Sequence, residues 1–329
     1  MTTTLANASP VCARVSISEP PTLRGAVVAC ADETGAVAID WLRSHRSWLL
    51  DVLGTRGAVL LRRFAPIGLE EFEEIAALAG AGPPLPYENR STPRSTVKGN
   101  IYTSTEYPAS QAIPLHSENS YSSQWPARIL FLCVQPARKG GETPIADNRH
   151  VYASIPAATR ELFESKGVTY VRNYGDLGLS WQETFQTEKR EEVEAYCAAH
   201  ALGLEWGDNA RLRTRQTLPA SRVHPITGAP VWFNQAHLFH VSTLGEVGDE
   251  LLEVLGKDNL PRNAVFGDGS DIDVAMLQDV HRAYEQHAVP LEWQANDLVI
   301  LDNMLWSHGR LPFTGPRRVL VAMTGVLGS

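Results

Sequence analysis

Three apolar runs, Ala127–Gln135, Asp297–Leu301 and Arg318–Val326, read as strands, and no regular alternation of strand and helix links them. Ala127–Gln135 is almost continuously apolar, the pattern of a strand covered on both faces. Gly57–Phe64 and the β-branched or aromatic runs Val168–Arg172 and Val231–Asn234 add further short strands. Val37, Trp41, Leu42, Trp48, Leu49 and Leu53 fall at helical spacing and predict a helix over Thr34–Gly54. Further helices are predicted at Leu69–Ala81, Ala157–Lys166, Glu188–His200, Asp249–Leu255 and Asp273–His287. A doubly wound sheet would need strict alternation, and no GxGxxG turn follows a strand. The pattern predicts a mainly β fold with α decoration, a sandwich or barrel carrying helical insertions.

The 329 residues are read as a single domain, 1–329, with a mobile start over 1–15 and loop or insertion regions at 84–114 and 173–222. The stretch Pro84–Pro114 is rich in Pro, Ser, Thr and Asn, and loops of that length are usually functional or disordered. A net charge of −8 argues against a nucleic-acid partner. No apolar run reaches the length of a membrane span, and the N-terminus has neither the basic nor the apolar region of a secretory signal. Cys12, Cys30, Cys133 and Cys197 lack CxxC spacing. That usage suits a reducing, cytoplasmic setting without disulfides. Cys133, inside an apolar run, reads as a small buried hydrophobe.

The residues that suggest chemistry are His116 and Glu118. Side chains at i and i+2 of a strand share a face, so this imidazole and carboxylate would meet at one point. Two histidines and one carboxylate with open positions form the ligand set of non-haem Fe(II) oxygenases. His308 is the candidate second histidine. An HxE pair alone is weak, because such alternation arises by chance on solvated strand faces.

Taken together, His116-Ser-Glu118, Gly140-Gly-Glu-Thr-Pro144, Asp302 through Arg310 and Gly315-Pro-Arg-Arg318 resemble the taurine dioxygenase/clavaminate synthase superfamily of Fe(II)/2-oxoglutarate oxygenases. Ile101–Pro108, His224-Pro-Ile-Thr-Gly228 and Val231–Asn234 carry the same resemblance. It is nearest to the syringomycin-type accessory hydroxylases of nonribosomal peptide assembly. The resemblance implies a distorted double-stranded β-helix, a jelly-roll variant. It implies Fe(II) held by His116, Glu118 and His308, with 2-oxoglutarate and O2 as cosubstrates. Arg318 would grip the distal carboxylate of 2-oxoglutarate, assisted by the hydroxyl of Thr143. Arg317 and Arg318 are adjacent, so only one can face the interior; family register favours Arg318 and leaves Arg317 an outward ion pair.

The implied activity is hydroxylation of an unactivated C–H bond of an amino acid or aminoacyl group, free or presented by a peptidyl carrier protein. Epoxidation and desaturation begin from the same chemistry. Glu118 argues against halogenation, since halogenating relatives have a small residue there to admit chloride. Taurine dioxygenase has a sulfonate-binding Arg four residues after the cofactor Arg; here that position is Ala322, which argues against sulfonate oxidation. A metal-free jelly-roll binding module is the non-enzyme alternative. Asn119 either faces substrate or caps a turn. Arg215, alternating with Arg211 and Arg213, either meets an anionic substrate or lines a solvated edge. Trp181 either contacts substrate or belongs to the core. Arg310 either supports the site or makes a structural ion pair. His237 and His240 have metal-like spacing but no family role, and read as structural.

Overall fold

The computed structural model describes residues 3–5, 15–23, 25–31, 35–80, 82–86, 95–104, 107–175, 177–208 and 211–328. The expectation of a mobile start falls mostly on residues 1–2 and 6–14, which lie outside them.

The three strong apolar runs become neighbours at the centre of one large sheet. Leu298–Asp302 pairs antiparallel with Gln124–Gln135, which pairs along its length with Arg318–Gly328. Ala58–Arg62 and Val27–Ala31 extend the sheet on one side, the latter through its only parallel pairing among the described residues. A four-stranded antiparallel sheet faces it, in the order Val289–Leu291, Thr143–Asp147, Trp306–Arg310, Ile113–His116. This is the distorted double-stranded β-helix that the resemblance implies.

Alternation along Arg318–Gly328 shows how the sheets are filled. Val319, Val321 and Met323 join Phe131, Val299, Ile145 and Trp306 between the two sheets. Leu320 and Ala322 point the other way, into a second core shared with Leu42, Leu49, Phe72 and Ile75. Burying each large aliphatic or aromatic side chain contributes roughly 1.5–3 kcal/mol, which explains why both faces of these central strands are apolar.

The second core is roofed by three helices. The predicted single helix over Thr34–Gly54 is two, Ala38–Ser44 and Arg46–Thr55, broken at His45, whose φ of −118° and ψ of 26° are not helical. The apolar spacing persists across the break because both helices bury the same side, and periodicity alone could not reveal the kink. The Pro84–Pro114 segment also departs from expectation. Its described part carries the strands Thr96–Lys98 and Ile101–Thr103, which extend the large sheet beyond Arg318–Gly328. Residues 87–94 and 105–106 of that segment lie outside the described ones.

A third antiparallel sheet, in the order Gly203–Trp206, Leu212–Leu218, Val168–Tyr174, Arg262–Phe266, stands beside the jelly roll. Helices Ala157–Lys166 and Val274–His287 help enclose its inner face. No helix among the described residues is long and apolar enough to cross a membrane. Cys30, Cys133 and Cys197 are free thiols, and burial pushes the Cys133 thiol up to about 12.

Candidate metal and cosubstrate site

His116 ends its strand directly opposite His308, and the two imidazole rings lie 4.6 Å apart. Glu118 comes just after the strand, in the following turn, so strand alternation does not by itself aim its side chain. Asn303 fixes it instead. The Asn303 amide accepts from Glu118 N at 2.7 Å and donates to Glu118 O at 2.8 Å and Pro126 O at 3.0 Å. With this turn held, the Glu118 carboxylate lies 3.9 Å from His308 Nε2. One donor atom from each of His116, Glu118 and His308 falls within 4.8 Å of the other two.

The surrounding bonds go largely to backbone. His116 Nδ1 lies 2.8 Å from Pro114 O, which turns Nε2 toward the other two ligands. His237 reaches Leu115 O at 3.0 Å, and Gln235 donates to Ser117 O at 2.7 Å. His237 is buried, and that burial drives its pKa down to about 3, so it supports this strand as a neutral ring. His240 hydrogen-bonds Ser242, away from the cluster.

Asp302 shapes the approach to His308. One carboxylate oxygen accepts from Met304 N and Leu305 N, both at 2.9 Å; the other meets Arg128 and, at 3.2 Å, His224 Nε2. His224 Nδ1 accepts from Thr227 N, which leaves the proton on Nε2 for Asp302. Gly309 is required by space, because a Cβ there would lie 2.5 Å from Ile113 O on the adjoining strand. Asn303, Asp302 and His224 lie in stretches the sequence singled out, but nothing in their spacing told that they brace the site. Because Asn303 is fully buried and holds Glu118 from both sides, Asn303→Ala is expected to lower the melting temperature and weaken Fe(II) binding by at least about tenfold, measured by thermal melts and metal titration.

Beside the cluster is a pocket with Phe131, Val319 and Val321 as apolar walls and Thr143, Arg310 and Arg317 as polar ones. Thr143 is buried and its hydroxyl oxygen accepts from Trp293 Nε1 at 3.0 Å. The indole is a donor only, so the Thr143 proton remains for an acceptor in the pocket. Arg310 makes no ion pair among the described residues; its guanidinium donates to the carbonyls of Tyr107, Pro108 and Gln111 at 3.0, 2.7 and 2.8 Å, pinning the rim loop.

The arginine expectation is corrected by one residue. Arg317 lines the pocket, donates from Nε to Gly141 O at 2.9 Å and lies near the Ser104 hydroxyl, whereas Arg318 is exposed and opposite Gln135. The parity of the strand explains it: Val319 and Val321 face inward, and Arg317 shares their side. The double-glycine turn makes the approach possible, since Gly141 adopts φ +77° and a Cβ there would lie 3.1 Å from Arg317 Cδ. Burial first, and then the neighbouring Arg310 cation, lower the Arg317 pKa to about 10. Counted from Arg317, the fourth residue on is Val321, a pocket wall, and Ala322 lies in the core behind the sheet. The argument against a sulfonate-binding arginine is unchanged.

The three expected substrate residues are not gathered here. Asn119, at φ +55°, accepts from the Tyr121 hydroxyl at 3.2 Å and lines a neighbouring cavity with Trp125, Tyr196 and His200. Trp181 is buried in a small cluster, edge-on to Trp206 with centroids 5.5 Å apart. Arg215 is exposed on the outer face of the side sheet, 3.9 Å from Asp258, because Thr214 and Gln216 take the inner face. A separate cavity of about 270 Å³, bordered by Arg211, Arg213, Glu205 and Asn173, is likewise distinct from the pocket that holds the metal-ligand cluster.

Two imidazoles and one carboxylate with donor atoms within 4.8 Å of one another, at the edge of a pocket that His116 and His308 help line, fit the ligand set of a non-haem Fe(II) site. The comparisons agree. Residues 26–324 match the family model described as taurine catabolism dioxygenase TauD, TfdA family, and the chain belongs to that family. It is a non-haem Fe(II)/2-oxoglutarate-dependent dioxygenase. The chain is 43% identical over 292 residues to the dapdiamide synthesis protein DdaC of Enterobacter agglomerans, covering 88% of each. It is 30% identical over 294 residues to a clavaminate synthase-like protein of Arabidopsis thaliana, covering 86% of each. Among solved structures, PvcB, an Fe, alpha-ketoglutarate dependent oxygenase from an isonitrile synthetic pathway, shares the fold with a TM-score of 0.55 at 16% identity, over 97% of this chain and 93% of that one.

Proposed function

We propose that this dioxygenase hydroxylates an unactivated C–H bond of an amino acid or aminoacyl substrate in specialised metabolism, with His116, Glu118 and His308 as iron ligands and Arg317 and Thr143 as the 2-oxoglutarate anchor. The observation that carries the residue roles is the convergence of the three ligands beside a pocket holding a guanidinium and a buried hydroxyl. A dicarboxylate gripped by Arg317 at one end would present its other end to the ligand cluster. The likeness to a dapdiamide synthesis protein supports the biosynthetic setting.

Iron, when bound, supplies the redox chemistry that couples decarboxylation of 2-oxoglutarate to oxidation of the substrate. The chain's own residues do the remaining work. Glu118 supplies the negative charge that two neutral imidazoles lack. Its presence also fills the position a halide would need, which favours oxygenation over halogenation. Arg317 and Thr143 would orient the cosubstrate through charge-assisted and neutral hydrogen bonds. Phe131, Val319 and Val321 exclude water from one side of it. Arg310 holds the loop 107–111 in place at the rim.

The test is mass spectrometry of free amino acids and of carrier-protein-loaded aminoacyl groups incubated with protein, Fe(II), 2-oxoglutarate, ascorbate and O2. A product heavier by one oxygen atom, formed with an equal amount of succinate, is the expected result. Succinate production that no amino acid or aminoacyl thioester stimulates would count against the substrate class.

A further inference from the structure

The edge strand Ile101–Thr103 brings one more polar side chain to the pocket beside the ligand cluster. Ile101 is buried in the core behind the large sheet, whereas Tyr102 lies opposite Val321 and is buried between the two sheets. Residues two apart on an extended chain share a face. Ser104, two beyond Tyr102, therefore faces inward as well. Its backbone N–H holds this register by donating to Val319 O at 2.9 Å. Ser104 thus joins Thr143, Arg310 and Arg317 in lining the pocket.

The partners of these side chains decide where their hydrogens go. Arg317 Nη1 lies 3.4 Å from Ser104 Oγ. A guanidinium cannot accept, so Arg317 donates, and the Ser104 proton meets no acceptor among the described residues. Thr143 is in the same state, because its oxygen accepts from the donor-only indole of Trp293 at 3.0 Å. Arg317 gives its Nε–H to Gly141 O, which leaves its Nη2 hydrogens uncommitted among the described residues. Arg310 adds a buried Nε–H without a partner. Among the described residues no carboxylate or amide side chain lines the pocket, and its imidazoles belong to the metal ligands.

The end of the pocket away from the metal ligands therefore offers donors only: two hydroxyl protons and the hydrogens of guanidinium groups that make no ion pair among the described residues. A carboxylate is the matching group, since its oxygens present about four lone-pair sites and no hydrogen. We propose that Ser104 is a further cosubstrate-binding residue, whose hydroxyl donates to the distal carboxylate of 2-oxoglutarate alongside Arg317 and Thr143. The proposal deepens the reading of this pocket as the 2-oxoglutarate site, and rests on it. The anchor then draws on three separate segments: Thr143 begins a strand of the facing sheet, Arg317 precedes a central strand of the large one, and Ser104 follows its edge strand.

The test is calorimetric titration of the whole protein, loaded with Mn(II), with 2-oxoglutarate and with oxalate. Oxalate chelates a metal but has no chain to carry a carboxylate away from it. Ser104→Ala is expected to weaken 2-oxoglutarate binding by about tenfold and to change oxalate binding by no more than about twofold. Ser104→Cys, close in size but a weak donor, should lose nearly as much for 2-oxoglutarate, with melting curves reporting on the fold of both variants. Added to Arg317→Met, Ser104→Ala should weaken 2-oxoglutarate binding again, by at least about threefold, because the hydroxyl meets the carboxylate directly. Unchanged 2-oxoglutarate affinity in both Ser104 variants, or an equal loss for oxalate, would overturn the proposal. So would the absence of any further loss in the double variant, which would reduce Ser104 to a brace for Arg317. A parent protein that does not bind 2-oxoglutarate, or an Arg317→Met variant that binds it unchanged, would instead overturn the pocket assignment and the proposal with it.

Discussion

Glu118→Ala and His308→Ala are expected to fold normally and to retain no Fe(II) after dialysis, with 2-oxoglutarate turnover reduced to background. Each removes one of the three proposed ligands. Without Glu118, only two neutral imidazoles would face a doubly charged ion, with no protein charge to offset it. The fold should survive because the local bracing runs through the backbone. Asn303 bonds the Glu118 amide and carbonyl rather than its carboxylate, and Gln235 and His237 hold Ser117 and Leu115 through their carbonyls. Melting curves, metal analysis and the visible absorption of the anaerobic Fe(II)–2-oxoglutarate complex check the three parts separately. Variants that bind Fe(II) as tightly as the parent would sink the ligand assignment.

The second large effect separates two neighbours. Arg317→Met should weaken 2-oxoglutarate binding by about 100-fold, the size expected when a buried carboxylate loses two charge-assisted hydrogen bonds. Arg318→Met should change it by no more than about twofold, since that side chain is exposed and screened by water. The KM for 2-oxoglutarate measures both. Equal effects, or the larger one at Arg318, would restore the assignment that family register favours. The same anchor predicts a pH dependence. Arg317 must be a cation to hold a carboxylate, and burial beside Arg310 lowers its pKa to about 10. Affinity for 2-oxoglutarate should therefore be level near neutral pH and fall as pH rises through about 10, a decline that Arg317→Met should not show.

The major strands could be read from sequence because they are buried on both faces. Ile129–Cys133 and Asp297–Leu301 have no solvent side to interrupt their apolar runs. The strands Thr96–Lys98 and Ile101–Thr103 were not legible. They are three residues each, in a stretch rich in polar and turn-forming residues, and their pairing depends on Arg318–Gly328 far along the chain. His45 escaped for a related reason: two short helices burying the same side keep one apolar rhythm through a break.

Within the site, residue chemistry was legible and direction was not. A histidine, a carboxylate two residues on and a distant histidine suggest a ligand set, and the resemblance carried by the surrounding motifs names it. Which of two adjacent arginines enters the pocket depends on strand parity and on the Gly140-Gly141 turn beneath it. Arg215 shows the same limit, because alternation in Arg211, Arg213 and Arg215 establishes a shared face without saying which side is inward.

By itself, then, the sequence determined a mainly β chain and pointed to a candidate iron ligand set, because burial on both faces and ligand chemistry are properties of residues and their near neighbours. Only the tertiary structure decided that Arg317 rather than Arg318 lines the pocket, that Asn303 braces Glu118, and that Ser104 meets Arg317. Those are relations across strands, and register between strands is set by packing of segments that lie far apart in the chain.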